Sequence, residues 1–119
     1  MSDPYDTALR AKAEKIANKL GIEVKHGVYT LFQGPYYESA AEIRMFKTAG
    51  NDAIGMSTVP ETIAANYAGI KTLGIACITN MATGLRTGKH SHQEVVAIAE
   101  RSGDKLCAWM EALLKQRHD

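Results

Sequence analysis

The run Ile70 to Thr79 constrains this chain most. It is nearly continuous in apolar residues (Ile70, Leu73, Ile75, Ala76, Cys77, Ile78). A half-exposed strand alternates apolar and polar positions, whereas an unbroken run of this kind suits a strand buried on both faces of a largely parallel sheet. Such a strand needs helices above and below it and neighbours on both edges. A central position in a layered α/β sheet is therefore predicted for residues 70–79. Ligands of open α/β sheets bind beyond the carboxyl ends of the strands, so the polar residues that follow each apolar run are the candidates for function.

The rest of the chain is read against that requirement. Ser2 or Asp3 can cap a first helix with Pro4 in its first turn, and Tyr5, Leu9, Ala13, Ile16 and Leu20 recur at helical spacing until Gly21. From Ile22 to Phe32 the composition turns β-branched and aromatic, with a possible break at His26-Gly27, which predicts a strand ending near Gln33. Ser39-Ala40-Ala41-Glu42 has the form of a capping box and opens a helix that Gly50 stops. Ala53 to Met56 reads as a short strand, and Thr58-Val59-Pro60-Glu61 as a second capping box, opening a helix that runs to Gly69. After residues 70–79, the stretch from Asn80 to His90 has two glycines, three basic residues (Arg86, Lys89, His90) and no period, so it is a loop. Ser91-His92-Gln93-Glu94 is a third capping box. The closing helix carries Val95, Ala99, Leu106, Met110 and Leu113 on one face and frays from Gln116 to Asp119.

The resulting order of helix, strand, helix, strand, helix, strand, loop, helix is an α/β pattern. Three strands are few for a sheet covered on both faces, so the 119 residues are predicted to be a single unit, 1–119, of a larger layered domain. A formal net charge of +1 with 23% charged residues gives no basic patch for nucleic acid and no membrane-surface signature. No basic segment followed by an apolar core opens the chain and no apolar run reaches membrane-span length, so a cytoplasmic protein is expected. Cys77 and Cys107 lie in apolar surroundings without metal-ligand spacing and are expected to be buried free thiols; no metal site is predicted.

Polar residues gather at three strand ends. Glu38 follows Tyr36 and Tyr37 and precedes a helix, where it either complements the helix dipole or offers a carboxylate to two parallel N–H groups of a planar ligand. A purine with N1–H and an exocyclic amine presents such an edge. Met56 is either core filler or an apolar wall under a sugar, and the neighbouring tyrosines are either rim aromatics or stacking surfaces. Ser57 and Thr58 meet a helix start, where capping by Thr58 competes with anion binding at Ser57. Asn80 is a turn residue or a carboxamide that both donates to and accepts from a ring. His92, at the last helix start, is either inert or a titratable contact.

Together, Gly34-Pro35-x-Tyr37-Glu38, Gly55-Met56-Ser57-Thr58-Val59-Pro60-Glu61, Ile78-Thr79-Asn80 and Ser91-His92-x-Glu94-Val95 closely resemble the C-terminal part of the trimeric purine nucleoside phosphorylases. The resemblance covers essentially the whole chain. It implies part of a three-layer phosphorylase-like α/β domain, a mixed sheet flanked by helices with the N-terminal strands missing. It also implies phosphorolysis of 6-oxopurine nucleosides to free base and ribose 1-phosphate, with inorganic phosphate as co-substrate and no cofactor. By resemblance Glu38 and Asn80 are the catalytic pair. Glu38 holds N1–H and the 2-amino group; Asn80 holds N7 and O6 and stabilises charge as the glycosidic bond breaks. Tyr37, Gly55, Met56, Ser57, Thr79 and His92 line the substrate, with Tyr37 beside the base, Met56 on ribose, Ser57 on phosphate and His92 on the 5′-hydroxyl.

The family's other phosphate ligands belong to an N-terminal half outside this sequence. The isolated chain is therefore expected to be weak or inactive, and its partners to be a purine nucleoside or base, phosphate, and either copies of itself (a trimer by resemblance) or the missing half. The competing readings are a non-catalytic nucleobase-binding or oligomerisation module from a truncated gene, and a structural fragment that needs the missing strands to fold.

Overall fold

The computed structural model describes residues 1–85, 87–88 and 91–116. The basic residues Arg86, Lys89 and His90 of the predicted loop, and residues 117–119 of the predicted frayed end, lie outside the described residues. In chain order the elements are α1 (Thr7–Lys19), β1 (Tyr29–Leu31), α2 (Ala40–Thr48), β2 (Ala53–Gly55), α3 (Val59–Tyr67) and α4 (His92–Lys115). β1 and β2 pair in parallel with Tyr29 opposite Ala53 and Leu31 opposite Gly55.

α1 begins later than its periodicity suggests. Asp6 is the cap: its Oδ1 accepts the Leu9 N–H at 2.8 Å, and its own N–H donates to the Thr72 carbonyl at 2.9 Å. Ser2, Asp3 and Pro4 therefore precede the helix. The Leu9 N–H holds the Asp6 carboxyl below its ordinary range, and Lys71 at 3.4 Å adds to this. A charge at a helix N-terminus is favoured by the dipole as well.

The core forms between α1 and α4. Ala13, Ile16 and Ala17 of α1 bury against Trp109, with Ile22, Val24, Leu73, Ile75, Ala112 and Leu113 packed around them. Small residues on α1 let the indole approach closely enough for its Nε1–H to donate to the Ala13 carbonyl at 2.9 Å. A buried indole needs such an acceptor. The packed face of α4 thus centres on Trp109, Ala112 and Leu113. Leu106 and Met110, predicted on that face with Ala99, are exposed. The heptad-like count missed Trp109 because one large ring decides the helix's rotation.

The predicted strand 70–79 has no ladder partner and is not a strand among the described residues. A strand is defined by hydrogen bonds to neighbours, and apolar composition alone does not supply them. Ile70 and Ile78 are 61% and 62% exposed while Leu73 and Ile75 pack against the α1–α4 core, so the segment is covered on one side where burial on both faces was predicted. Likewise the strand predicted from Ile22 narrows to Tyr29–Leu31, after the His26-Gly27 break. Cys77, on this segment, and Cys107, on α4, were predicted to be buried; both are exposed free thiols.

Two physical measures show how much is uncovered. The radius of gyration is 15.7 Å, against about 13.5 Å for a compact domain of this length. The accessible surface is 8908 Å², about 2,600 Å² more than the roughly 6,300 Å² of a compact monomer of this mass.

Candidate functional site

The first strand end is built by a turn and a network of hydrogen bonds. Gly34 adopts φ +65° before a cis peptide to Pro35, and a side chain at Gly34 would collide with Met56 Sδ, so the turn lies directly on the second strand end. The capping box predicted at Ser39 is present. The Glu42 N–H donates to Ser39 Oγ at 3.3 Å, and the Ser39 N–H donates to Glu42 Oε2 at 2.7 Å. This backbone donor holds the Glu42 carboxyl below its usual range. Tyr36 Oη donates to Glu42 Oε1 at 3.2 Å, which raises the phenol's pKa, with the neighbouring Glu38 charge adding to the effect. Phe32 packs edge-on against the Tyr36 ring at 5.2 Å. Tyr36 is thus a strut for the turn. Glu38 is half-buried beside it, while Tyr37 is 48% exposed.

The second strand end differs from its predicted form. Thr58 makes no side-chain cap; its backbone sits at φ 73°, ψ −53°. The Val59 N–H donates to the Ser57 carbonyl at 2.8 Å. A hydrogen bond spanning one residue at these angles is a γ-turn of the rare, strained kind. For a β-branched residue such a conformation costs about 1–3 kcal/mol and is held only by its surroundings. Those surroundings are visible. Thr62, 3% exposed, donates both its N–H (2.9 Å) and its hydroxyl (2.7 Å) to the Thr58 carbonyl. Tyr29 Oη lies 3.4 Å from both the Ser57 N–H nitrogen and Ser57 Oγ. Tyr29 reaches Ser57 by crossing Gly55, where any side chain would collide with its hydroxyl. Met56 is 62% exposed and Ser57 is exposed. Neither Tyr29 nor Thr62 was singled out from sequence. The available signal was a tyrosine at the start of a strand whose parallel neighbour carries a glycine.

At the third end, Thr79 Oγ1 donates to Asn80 Oδ1 at 2.8 Å, and Asn80 Nδ2 donates to the Met81 carbonyl at 3.3 Å. The carboxamide is oriented, and it keeps one N–H and one lone pair for other partners. His92 opens α4, where Ser91 Oγ accepts the Glu94 N–H at 3.3 Å as predicted; the ring is exposed.

The fold therefore joins the first two strand ends through Gly34 and Met56. No hydrogen bond among the described residues links Glu38, Asn80 or His92 to one another. Two concavities in the structure are not lined by Glu38, Asn80 or His92. One of about 400 Å³ is lined by Ile43, Phe46, Ile54, Ala82 and Leu85, and one of about 500 Å³ lies between residues 23–29 and 74–78, with Thr58 and Trp109 also in its lining. Among the described residues no cluster of His, Cys, Asp or Glu could hold a metal, and no helix is long and apolar enough to cross a membrane.

This arrangement matches known proteins. The family model described as Phosphorylase superfamily matches residues 1–115. Purine nucleoside phosphorylase 1 of Bacillus subtilis is 47% identical over 116 residues, which are 98% of this chain and 43% of that protein. A schistosoma purine nucleoside phosphorylase solved with hypoxanthine superposes with a TM-score of 0.93 at 32% identity, over 99% of this chain and 44% of that one. Isoform 2 from Schistosoma mansoni, solved with cytosine and ribose-1-phosphate, gives 0.90 at 35% identity over 98% and 42%. The chain spans less than half the length of the relatives it matches. Its helices and two parallel strands form a partial α/β phosphorylase domain, and the chain belongs to the Phosphorylase superfamily.

Proposed function

We propose that these residues form the base- and ribose-binding part of a purine nucleoside phosphorylase acting on 6-oxopurine nucleosides. The observation that carries the reading is the match, at a TM-score of 0.93 over 99% of the chain, to a phosphorylase solved with hypoxanthine. Glu38 accepts N1–H and the 2-amino group of the base, with Tyr37 beside the ring. Asn80, oriented by Thr79, faces N7 and O6. Met56 supports the ribose above Gly55, Ser57 meets phosphate, and His92 meets the 5′-hydroxyl. Inorganic phosphate is the co-substrate, and no cofactor takes part. A phosphate oxygen bonds to C1′ while the C1′–N9 bond breaks and its electron pair passes into the purine, where the Asn80 amide stabilises the developing charge.

The partner that completes the site is the part of a phosphorylase chain these residues do not span. The excess surface of about 2,600 Å² is of the size that obligate interfaces bury. It includes Ile70, Ile78 and Met56. A cytoplasmic trimer of such completed units is the assembly we propose.

Inosine phosphorolysis tests this. The 119-residue chain alone is expected to be nearly inactive, and adding the unmatched portion of the Bacillus subtilis relative is expected to restore cleavage. Near-family rates from the chain alone would overturn the requirement for that portion. Hypoxanthine binding without any phosphate-dependent cleavage in the mixture would leave a nucleobase-binding module.

A further inference from the structure

Resting on the assignment of Ser57 to phosphate, we propose that Tyr29 is a positioning residue that orients the Ser57 hydroxyl as a donor to an oxyanion. A serine hydroxyl has one proton and two acceptor lone pairs, so its use to an anion depends on where that proton points. Tyr29 Oη sits within 3.4 Å of both Ser57 N and Ser57 Oγ. It accepts from the Ser57 N–H; either hydroxyl of the pair can donate to the other, and with the Tyr29 oxygen already accepting, donation from Tyr29 to Ser57 Oγ is the favoured direction. With that lone pair occupied, the Ser57 proton points away from Tyr29, toward solvent and the Thr58 hydroxyl at 3.4 Å.

The turn itself prevents an easier arrangement. In an ordinary helix start the Val59 N–H would be open to an anion, but here it is taken by the Ser57 carbonyl. The side-chain hydroxyl therefore carries more of the recognition, and its orientation matters correspondingly. Two features keep the geometry. The buried Thr62 clamps the Thr58 carbonyl from within α3, and the bare Gly55 leaves the track along which Tyr29 crosses the ladder. The device is a tyrosine on one strand aiming a serine at the end of the next, across a glycine.

The test uses the 119-residue chain, isotope-labelled, without substitution and as Tyr29→Phe. Solvent exchange of the Ser57 amide is measured, and hypoxanthine and ribose 1-phosphate are titrated separately. Tyr29→Phe is expected to speed Ser57 amide exchange and to weaken ribose 1-phosphate about fivefold, the change that loss of one ordinary hydrogen bond brings. Hypoxanthine binding is expected to stay unchanged. Gly55→Ala, which pushes the ring away while leaving its hydroxyl, is expected to reproduce the effect on Ser57. Unchanged Ser57 exchange, unchanged ribose 1-phosphate affinity, or equal weakening of both ligands would overturn the proposal. If the unsubstituted chain binds neither ligand even with the unmatched portion of the Bacillus subtilis relative added, the site assignment fails, while the Ser57 amide still decides whether Tyr29 positions it.

Discussion

The α1–α4 side and the sheet side of this chain are stabilised by different means. On the first, Ala13, Ile16, Ala17 and Trp109 exclude water among themselves and the indole N–H finds its acceptor within the chain. On the second, two three-residue strands pair, and beside them a ten-residue apolar segment runs without a ladder. Residues that build the first side satisfy their needs within the chain, with Leu73 and Ile75 of that segment joining them; Ile70, Ile78 and Met56 on the second side stay exposed. Apart from His92, which opens α4, the polar residues proposed to bind substrate belong to the second side. Stability and recognition are thus housed apart, and on the proposed function the recognition half takes its rigidity from the portion these residues do not span.

The comparison is open to attack in order of effect. Trp109→Ala removes the largest buried ring and leaves the Ala13 carbonyl unpaired; it is expected to cost about 3–5 kcal/mol, enough to abolish cooperative unfolding of a chain with so small a core. Chemical denaturation followed by tryptophan-independent circular dichroism reads this, and a loss below about 1 kcal/mol would mean that stability lies elsewhere. Ser39→Ala deletes the cap of α2 and should cost about 1 kcal/mol. Ile78→Ser, on the open segment, should change the stability of the isolated chain by less than about 0.5 kcal/mol. It should nonetheless weaken assembly with the complementary portion of a phosphorylase, and a large effect on the isolated chain would collapse the distinction between the sides.

The smallest expected effect is of pH. Asp6 and Glu42 both have carboxyls held below their ordinary values by backbone donors. Each therefore contributes stability that is fully present above the ordinary carboxylate range and fades as pH falls through the lower, folded-state value. Denaturation midpoints should be flat from neutrality down to that range and decline only below it. Both groups are half-buried and keep some contact with solvent, which keeps the decline shallow.

Local features were the most legible in the sequence. The Ser39 box, the Ser91 cap and the periodicity of α1 are set by residues within a few positions of one another, so one strand of letters contains their causes. The Thr58 box failed although its letters were right, because Tyr29, Gly55 and Thr62 together hold a conformation that the motif does not anticipate. Residues 70–79 failed in the opposite sense: composition reported the environment the segment is suited to, and these residues alone do not provide it. Of the candidate site, the contact of Gly34 with Met56 and the pairing of Thr79 with Asn80 follow from residues that sequence had singled out.

The hydrogen bond from Trp109 to Ala13 spans nearly the whole chain. During synthesis α1 therefore meets its largest apolar partner late: Ile22, Val24, Leu73 and Ile75 emerge earlier, and the indole only when residue 109 has left the ribosome. Closure of this core is consequently a late event, timed by the emergence of α4, and a chain that stops before Trp109 lacks the buried indole that completes it.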